Sequence, residues 1–166
     1  IYKSIMLNKA NRILLIFILA TISLSIISTF IIQYWLDHKP CNLCIYERIP
    51  YFLSFFLLIQ ILFVKKYEKI ILLILSIIFL TSAFLAFYHF GIEQGFFNEP
   101  LSCTSTSSTA ELTKEELLEQ LKLNSISCKE VSFKVFGLSL ATINTIFSIL
   151  LSVIFIKLFL NYGKNE

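Results

Sequence analysis

Apolar residues in this chain come in long blocks rather than in alternation. Uncharged or nearly uncharged runs cover residues 13–36, 49–64, 70–92 and 135–160, and charged clusters separate them. A helix that crosses a bilayer needs about 20 such residues, with roughly 17–25 tolerated. The first, third and fourth runs reach that length. The second ends sharply at Lys65-Lys66 and reaches it only by starting near Cys44. The predicted spans are therefore 13–36, 45–64, 70–92 and 135–160, with a long loop over 93–134. This pattern predicts an all-α membrane protein, a single four-transmembrane-helix bundle occupying residues 1–166.

The long loop has its own pattern. Residues 102–109 are almost all Ser and Thr and predict a polar, mobile linker. Beyond it, Thr113 and Glu116 fit a capping box, and Leu112 and Leu117 fit a hydrophobic staple. Leu117, Leu118 and Leu121 form one face, opposite Lys114, Glu115, Glu119 and Lys122. A short amphipathic helix follows from this, either covering the bundle or lying in the membrane interface.

Composition agrees with the block pattern. At 57% hydrophobic, 15% charged and a mean hydropathy of +0.79, the chain is too apolar for a soluble domain of its size. Charge supplies the orientation. Lys3, Lys9 and Arg12, the Lys65–Lys69 connection, and the C-terminal Lys157, Lys164 and Glu166 together carry +6. The other side, with Asp37, Lys39, Glu47, Arg48 and the long loop, carries −3. Positive residues stay on the cytoplasmic side. Both termini are expected there, with the long loop on the outer side. The basic residues flank spans without an aromatic–basic surface between them, which excludes nucleic acid as a partner. The first run is too long for a signal-peptide core and lacks a small-x-small cleavage site, so it is expected to be a retained span.

This topology puts all four cysteines, Cys41, Cys44, Cys103 and Cys128, on the oxidising side, where disulfides persist. Cys41 and Cys44 are three residues apart at the mouth of the second span. In a helix they lie about 5 Å apart, which is disulfide range. So small a loop constrains an unfolded chain little, and such a pair is more often catalytic than a staple. Pro50 sits early in the second span and suits a first helical turn, which places the pair near a helix start. Cys103 lies in the Ser/Thr linker, 25 residues before Cys128. One Cys-x-x-Cys is half of a common zinc site, and no second knuckle exists, so no metal is expected. As a static staple, a Cys103–Cys128 bridge could contribute about 3.5 kcal/mol. As an exchange pair, it would sit on the same side as Cys41 and Cys44, where a disulfide relay is geometrically possible.

Arg48 follows Cys44 by one turn. It could anchor to headgroups, stabilise a thiolate, or donate to an acceptor carbonyl. His89, at the outer end of the third span, is either an interfacial anchor or the lining of a pocket beside Cys44. Asn144 needs a polar partner inside the fourth span, and packing is its simplest role. Tyr34, Trp35 and Tyr46 form an outer aromatic belt.

The run Cys41-Asn42-Leu43-Cys44-Ile45-Tyr46-Glu47-Arg48 after a first span, with two more cysteines in the second outer loop, resembles the disulfide bond formation protein B (DsbB) family. Vitamin K epoxide reductase-like proteins also combine four core spans with two thiol pairs, but there the loop pair comes first. The resemblance implies reoxidation of a periplasmic, thioredoxin-fold, DsbA-like dithiol protein, with the electrons passed to membrane quinone, either ubiquinone or menaquinone. It implies that Cys103 takes the partner's thiolate, Cys128 attacks Cys41, and Cys44 faces the quinone with Arg48. His89 corresponds to a histidine near the same place. The alternatives are a tetraspan scaffold with structural disulfides and an epoxide reductase-like relay with a different substrate.

Overall fold

The computed structural model describes residues 9–37, 40–98, 100, 128–129, 134–135 and 137–162. Cys103, the Ser/Thr linker and the amphipathic segment at 113–122 lie outside the described residues. Four helical segments are long and apolar enough to cross a membrane: Lys9–Tyr34, Asn42–Phe63, Glu68–Glu93 and Leu140–Leu160. The fold is thus an all-α, four-helix membrane bundle.

Helix α1 is Lys9–Tyr34. Asp37, with φ of 51°, then turns the chain toward Cys41. The second span is broken near its start into α2, Asn42–Tyr46, and α3, Arg48–Phe63. Proline accounts for the break. Pro50 has no N–H to give the carbonyl four residues back, at Tyr46, so the helix restarts with Pro50 in its first turn. A 3₁₀ turn at Lys65–Tyr67 leads into α4, Glu68–Glu93. A two-residue antiparallel ladder, β1 (Lys134–Val135) with β2 (Leu138–Ser139), delivers the chain to α5, Leu140–Leu160. Ser139 caps α5, its Oγ accepting from the Thr142 N–H at 3.2 Å.

Helix α4 packs most extensively against α5, while α3 packs against both α1 and α4. The core joins Leu15, Ile18 and Ile22 of α1 to Leu58 and Ile61 of α3, Leu72, Leu75 and Phe79 of α4, and Leu151 and Phe155 of α5. Phe79 and Phe155 stack at 5.5 Å, and Tyr51 meets Phe79 edge-on at 5.8 Å. Small buried residues, Ser54, Ser82, Ser148 and Ser152, let the helices approach closely. The outward faces carry exposed Phe17, Leu24, Phe56 and Phe84, an apolar jacket suited to lipid. Tyr34, the last residue of α1, and Trp35 just after it also project outward, 73% and 86% exposed.

A dithiol beside a buried histidine–glutamate pair: the candidate active site

At one end of the bundle the packing switches from aliphatic to sulfur. Cys41, Leu43, Ile92 and Cys128 form a separate buried cluster, with Cys44 and Leu85 against it. Cys41 is the N-cap of α2. Its Sγ accepts the Cys44 backbone N–H at 3.3 Å. The two sulfurs are 2.7 Å apart, and both residues are free thiols. A small side-chain rotation therefore closes or opens a disulfide.

The second contact of Cys41 comes from α4. His89, only 3% exposed, places Nε2 at 3.6 Å from Cys41 Sγ. Its Nδ1 donates to Glu47 Oε1 at 2.7 Å. Because a carboxylate only accepts, this bond puts the ring proton on Nδ1 and leaves Nε2 turned to the thiol. Glu93 lies one turn further along α4, with Oε1 3.9 Å from Nε2. Cys41 lies just outside the spanning segments, and its thiol sits below the ordinary thiol value. The hydrogen bond with the Cys44 side chain is the main cause. Burial opposes it, and His89 and the Cys44 backbone N–H reinforce it.

Glu47 is 7% exposed, and both its oxygens are occupied. Oε1 takes His89, and Oε2 accepts from Asn144 Nδ2 of α5 at 2.6 Å. Tyr51 OH in turn donates to Asn144 Oδ1 and lies 3.3 Å from Ser148 Oγ. Ser148 continues to Ser82 at 3.2 Å. Glu47 is not among the candidate site residues read from the sequence, although a carboxylate within an apolar span is itself a signal. Asn144 does need a partner, as its position requires, and that partner is the site's carboxylate.

The third sulfur completes the arrangement. Cys128 is 1% exposed and disulfide-bonded. The sulfurs of Cys41 and Cys128 and a ring nitrogen of His89 all lie within 4.8 Å of one another. Arg48 stands apart on the α1 side. Its Nη1 donates to Gln33 Oε1 at 2.6 Å, and its guanidinium covers the Phe30 ring at 5.8 Å. Cys41, Cys44, His89 and Cys128 are thus brought together, Arg48 is half-buried at the start of α3 and turned to α1, and Cys103 lies outside the described residues.

A dithiol with one sulfur buried, a histidine ring on that sulfur and a disulfide sulfur within 4.8 Å of both are the groups of membrane thiol–disulfide chemistry. The model of the family "Disulfide bond formation protein DsbB" matches residues 11–158, which includes every spanning helix almost entirely. The chain belongs to the DsbB family, whose members are multi-pass membrane proteins of disulfide-bond formation. It is also similar to a protein of Rickettsia prowazekii (strain Madrid E) described as "Uncharacterized protein RP370". The two are 30% identical over 152 residues, covering 90% of this chain and 88% of the relative.

Proposed function

We propose that the protein is an inner-membrane protein-dithiol:quinone oxidoreductase. It reoxidises a periplasmic DsbA-like dithiol protein and passes two electrons and two protons to ubiquinone or menaquinone. The observation that carries this reading is the position of Cys128 Sγ within 4.8 Å of Cys41 Sγ. A disulfide sulfur at that distance from a free thiol is poised for exchange, whereas a scaffold's staple gains nothing from it. In the relay, Cys103 forms the bond to the partner's sulfur and Cys128 leaves as thiolate. Cys128 then attacks Cys41 of the oxidised Cys41–Cys44 pair, and Cys44 leaves with the electron pair.

The surface around Arg48, four residues after Cys44, fits a quinone. Of Arg48's donors, one Nη1 hydrogen is taken by Gln33 among the described residues, which leaves others for a carbonyl oxygen. Phe30 and Phe52, 6.2 Å apart, and the exposed Ile45 and Ile49 offer an apolar, lipid-facing surround for a ring and its tail. Arg48, Phe30 and Phe52 would hold the quinone, which would supply the two-electron acceptor. His89 faces Cys41 rather than this surface, so its part is with the thiols.

The reading is tested with purified protein, a reduced DsbA-like partner and ubiquinone or menaquinone, following quinol and partner disulfide together. Equal amounts of both support it, and absence of dithiol-dependent quinol with either quinone refutes it. Arg48→Ala is expected to raise the KM for quinone about tenfold while leaving the KM for the protein partner nearly unchanged. Arg48→Lys should recover only part of this, because a point charge replaces a planar fork. Unaltered quinone kinetics would leave Arg48 as a clamp between α1 and α3.

The charge asymmetry, +6 against −3, sets the sidedness we propose. In reduced, intact cells a membrane-impermeant maleimide should label Cys103. Cys128, 1% exposed, should label far more slowly. Labelling of Cys103 only after the inner membrane is opened would invert the topology and remove the periplasmic partner with it.

A further inference from the structure

The Glu47–His89 pair does not stand alone: α5 reaches across to it. Glu47 belongs to the second span, His89 to α4 and Asn144 to α5, so three elements meet at one carboxylate. The Glu47 carboxylate, which only accepts, fixes which way the Asn144 amide faces: Nδ2 donates to Oε2 at 2.6 Å. Oδ1 is thereby turned to Tyr51, whose hydroxyl donates to it and holds the amide in that orientation. Ser148, within 3.3 Å of Tyr51 OH, and Ser82 behind it hold the phenol in place.

We propose that Asn144, oriented by Tyr51, is a positioning residue that holds the Glu47 carboxylate on His89 Nδ1 and so keeps His89 Nε2 facing Cys41 as its proton acceptor. The step it supports is a proton transfer. The Cys41 S–H bond breaks, the proton goes to His89 Nε2, and the electron pair stays on Sγ. The imidazolium that results is held by the Glu47 carboxylate through Nδ1–H. Without Asn144 the carboxylate can rotate away from Nδ1, and the thiolate of Cys41 loses a donor. The titratable and charged groups around Cys41 among the described residues are Cys44 on its own helix, Glu47 at the α2–α3 break, and His89 and Glu93 on α4. Cys128, here in a disulfide, becomes a further thiol beside Cys41 when the protein is reduced, equally in parent and variants, and Arg48 is turned to Gln33. Asn144 is uncharged, so its influence on Cys41 has to pass through Glu47.

This inference rests on the reading of Cys41 as a redox-active thiol, and its test uses neither quinone nor partner. A failure of quinone reduction would therefore leave it standing, and the reverse holds as well. Full-length protein is reduced in detergent and alkylated with iodoacetamide across a pH series. The adduct at Cys41 is quantified by mass spectrometry. Asn144→Leu should move the midpoint of the Cys41 profile up by about one unit, a roughly tenfold slower reaction below the midpoint. Tyr51→Phe should move it in the same direction by less. Added to Glu47→Gln, Asn144→Leu should cause no further shift, because its effect runs through that carboxylate. An unchanged profile in Asn144→Leu overturns the proposal, and so does an additive shift in the double variant. Should Asn144→Leu fail to fold, Tyr51→Phe removes a single hydroxyl and decides in the same way.

Discussion

Serine at Cys44 is expected to abolish dithiol-driven quinone reduction, with a loss of at least about a hundredfold. The reason is stoichiometric. The exchange needs two sulfurs that can bond to each other and release an electron pair, and a hydroxyl can do neither. Cys41→Ser should be as damaging, for the same reason. Neither change should unfold the bundle. Cys44 is only half-buried, and Ser at position 41 keeps the cap of α2, since its oxygen can accept the same Cys44 N–H that Sγ accepts at 3.3 Å. Melting temperatures of both variants should therefore stay within a few degrees of the parent. Turnover near the parental level in Cys44→Ser, with the fold intact, would mean that this sulfur does not pass electrons on.

The second large effect is the appearance of a covalent complex where none accumulates otherwise. Cys128 is 1% exposed and packed among Cys41, Leu43 and Ile92, so an incoming protein cannot reach its sulfur. Under the proposed relay the partner's thiolate must enter at Cys103, and the partner's second cysteine resolves that adduct while Cys128 moves on to Cys41. Cys128→Ser removes the thiol that would attack the adduct in reverse, and the oxidising equivalent then comes from the Cys41–Cys44 disulfide: Cys103 bonds to Cys41 as Cys44 leaves, and the partner's thiolate bonds to Cys103 as Cys41 leaves. Combined with a DsbA-like partner lacking its second active-site cysteine, the oxidised variant should accumulate a band near the summed mass on non-reducing electrophoresis, lost on reduction. The band should disappear in Cys103→Ser. If it persists there and disappears in Cys41→Ser instead, the partner enters at the Cys-x-x-Cys and the relay runs in the opposite order.

The charged groups of this site show how unequal the sequence signals were. Arg48 attracts notice because helical spacing places it one turn from Cys44. Spacing could not say that its fork would be met by Gln33 and Phe30 from α1. His89 was legible as a polar residue at a span end, but its partner was not. Two carboxylates are in reach, Glu47 at 2.7 Å and Glu93 at 3.9 Å, and only the packing of α4 against the α2–α3 break selects between them. Asn144 was legible as a residue in need of a hydrogen bond. That the need is met by Glu47, 97 residues away in the chain, is a matter of how α5 lies across the bundle.

The sequence by itself determined the four spans, their helical nature and the pairing of Cys41 with Cys44. Those properties are local. Each span follows from some twenty successive apolar residues whose backbone groups must be satisfied within the segment in a bilayer, and the dithiol follows from a fixed spacing of three. Even the break before α3 is local, because Pro50 withholds one N–H from its own helix. Tertiary structure alone decided which residues serve the dithiol. The Cys41–His89, His89–Glu47 and Glu47–Asn144 contacts join positions 48, 42 and 97 residues apart. Nothing in an apolar pattern encodes the rotation of a helix about its axis. That rotation is set by the fit of side chains such as Phe79 against Phe155 and Tyr51, and it turns His89 and Asn144 inward toward the carboxylate rather than toward lipid.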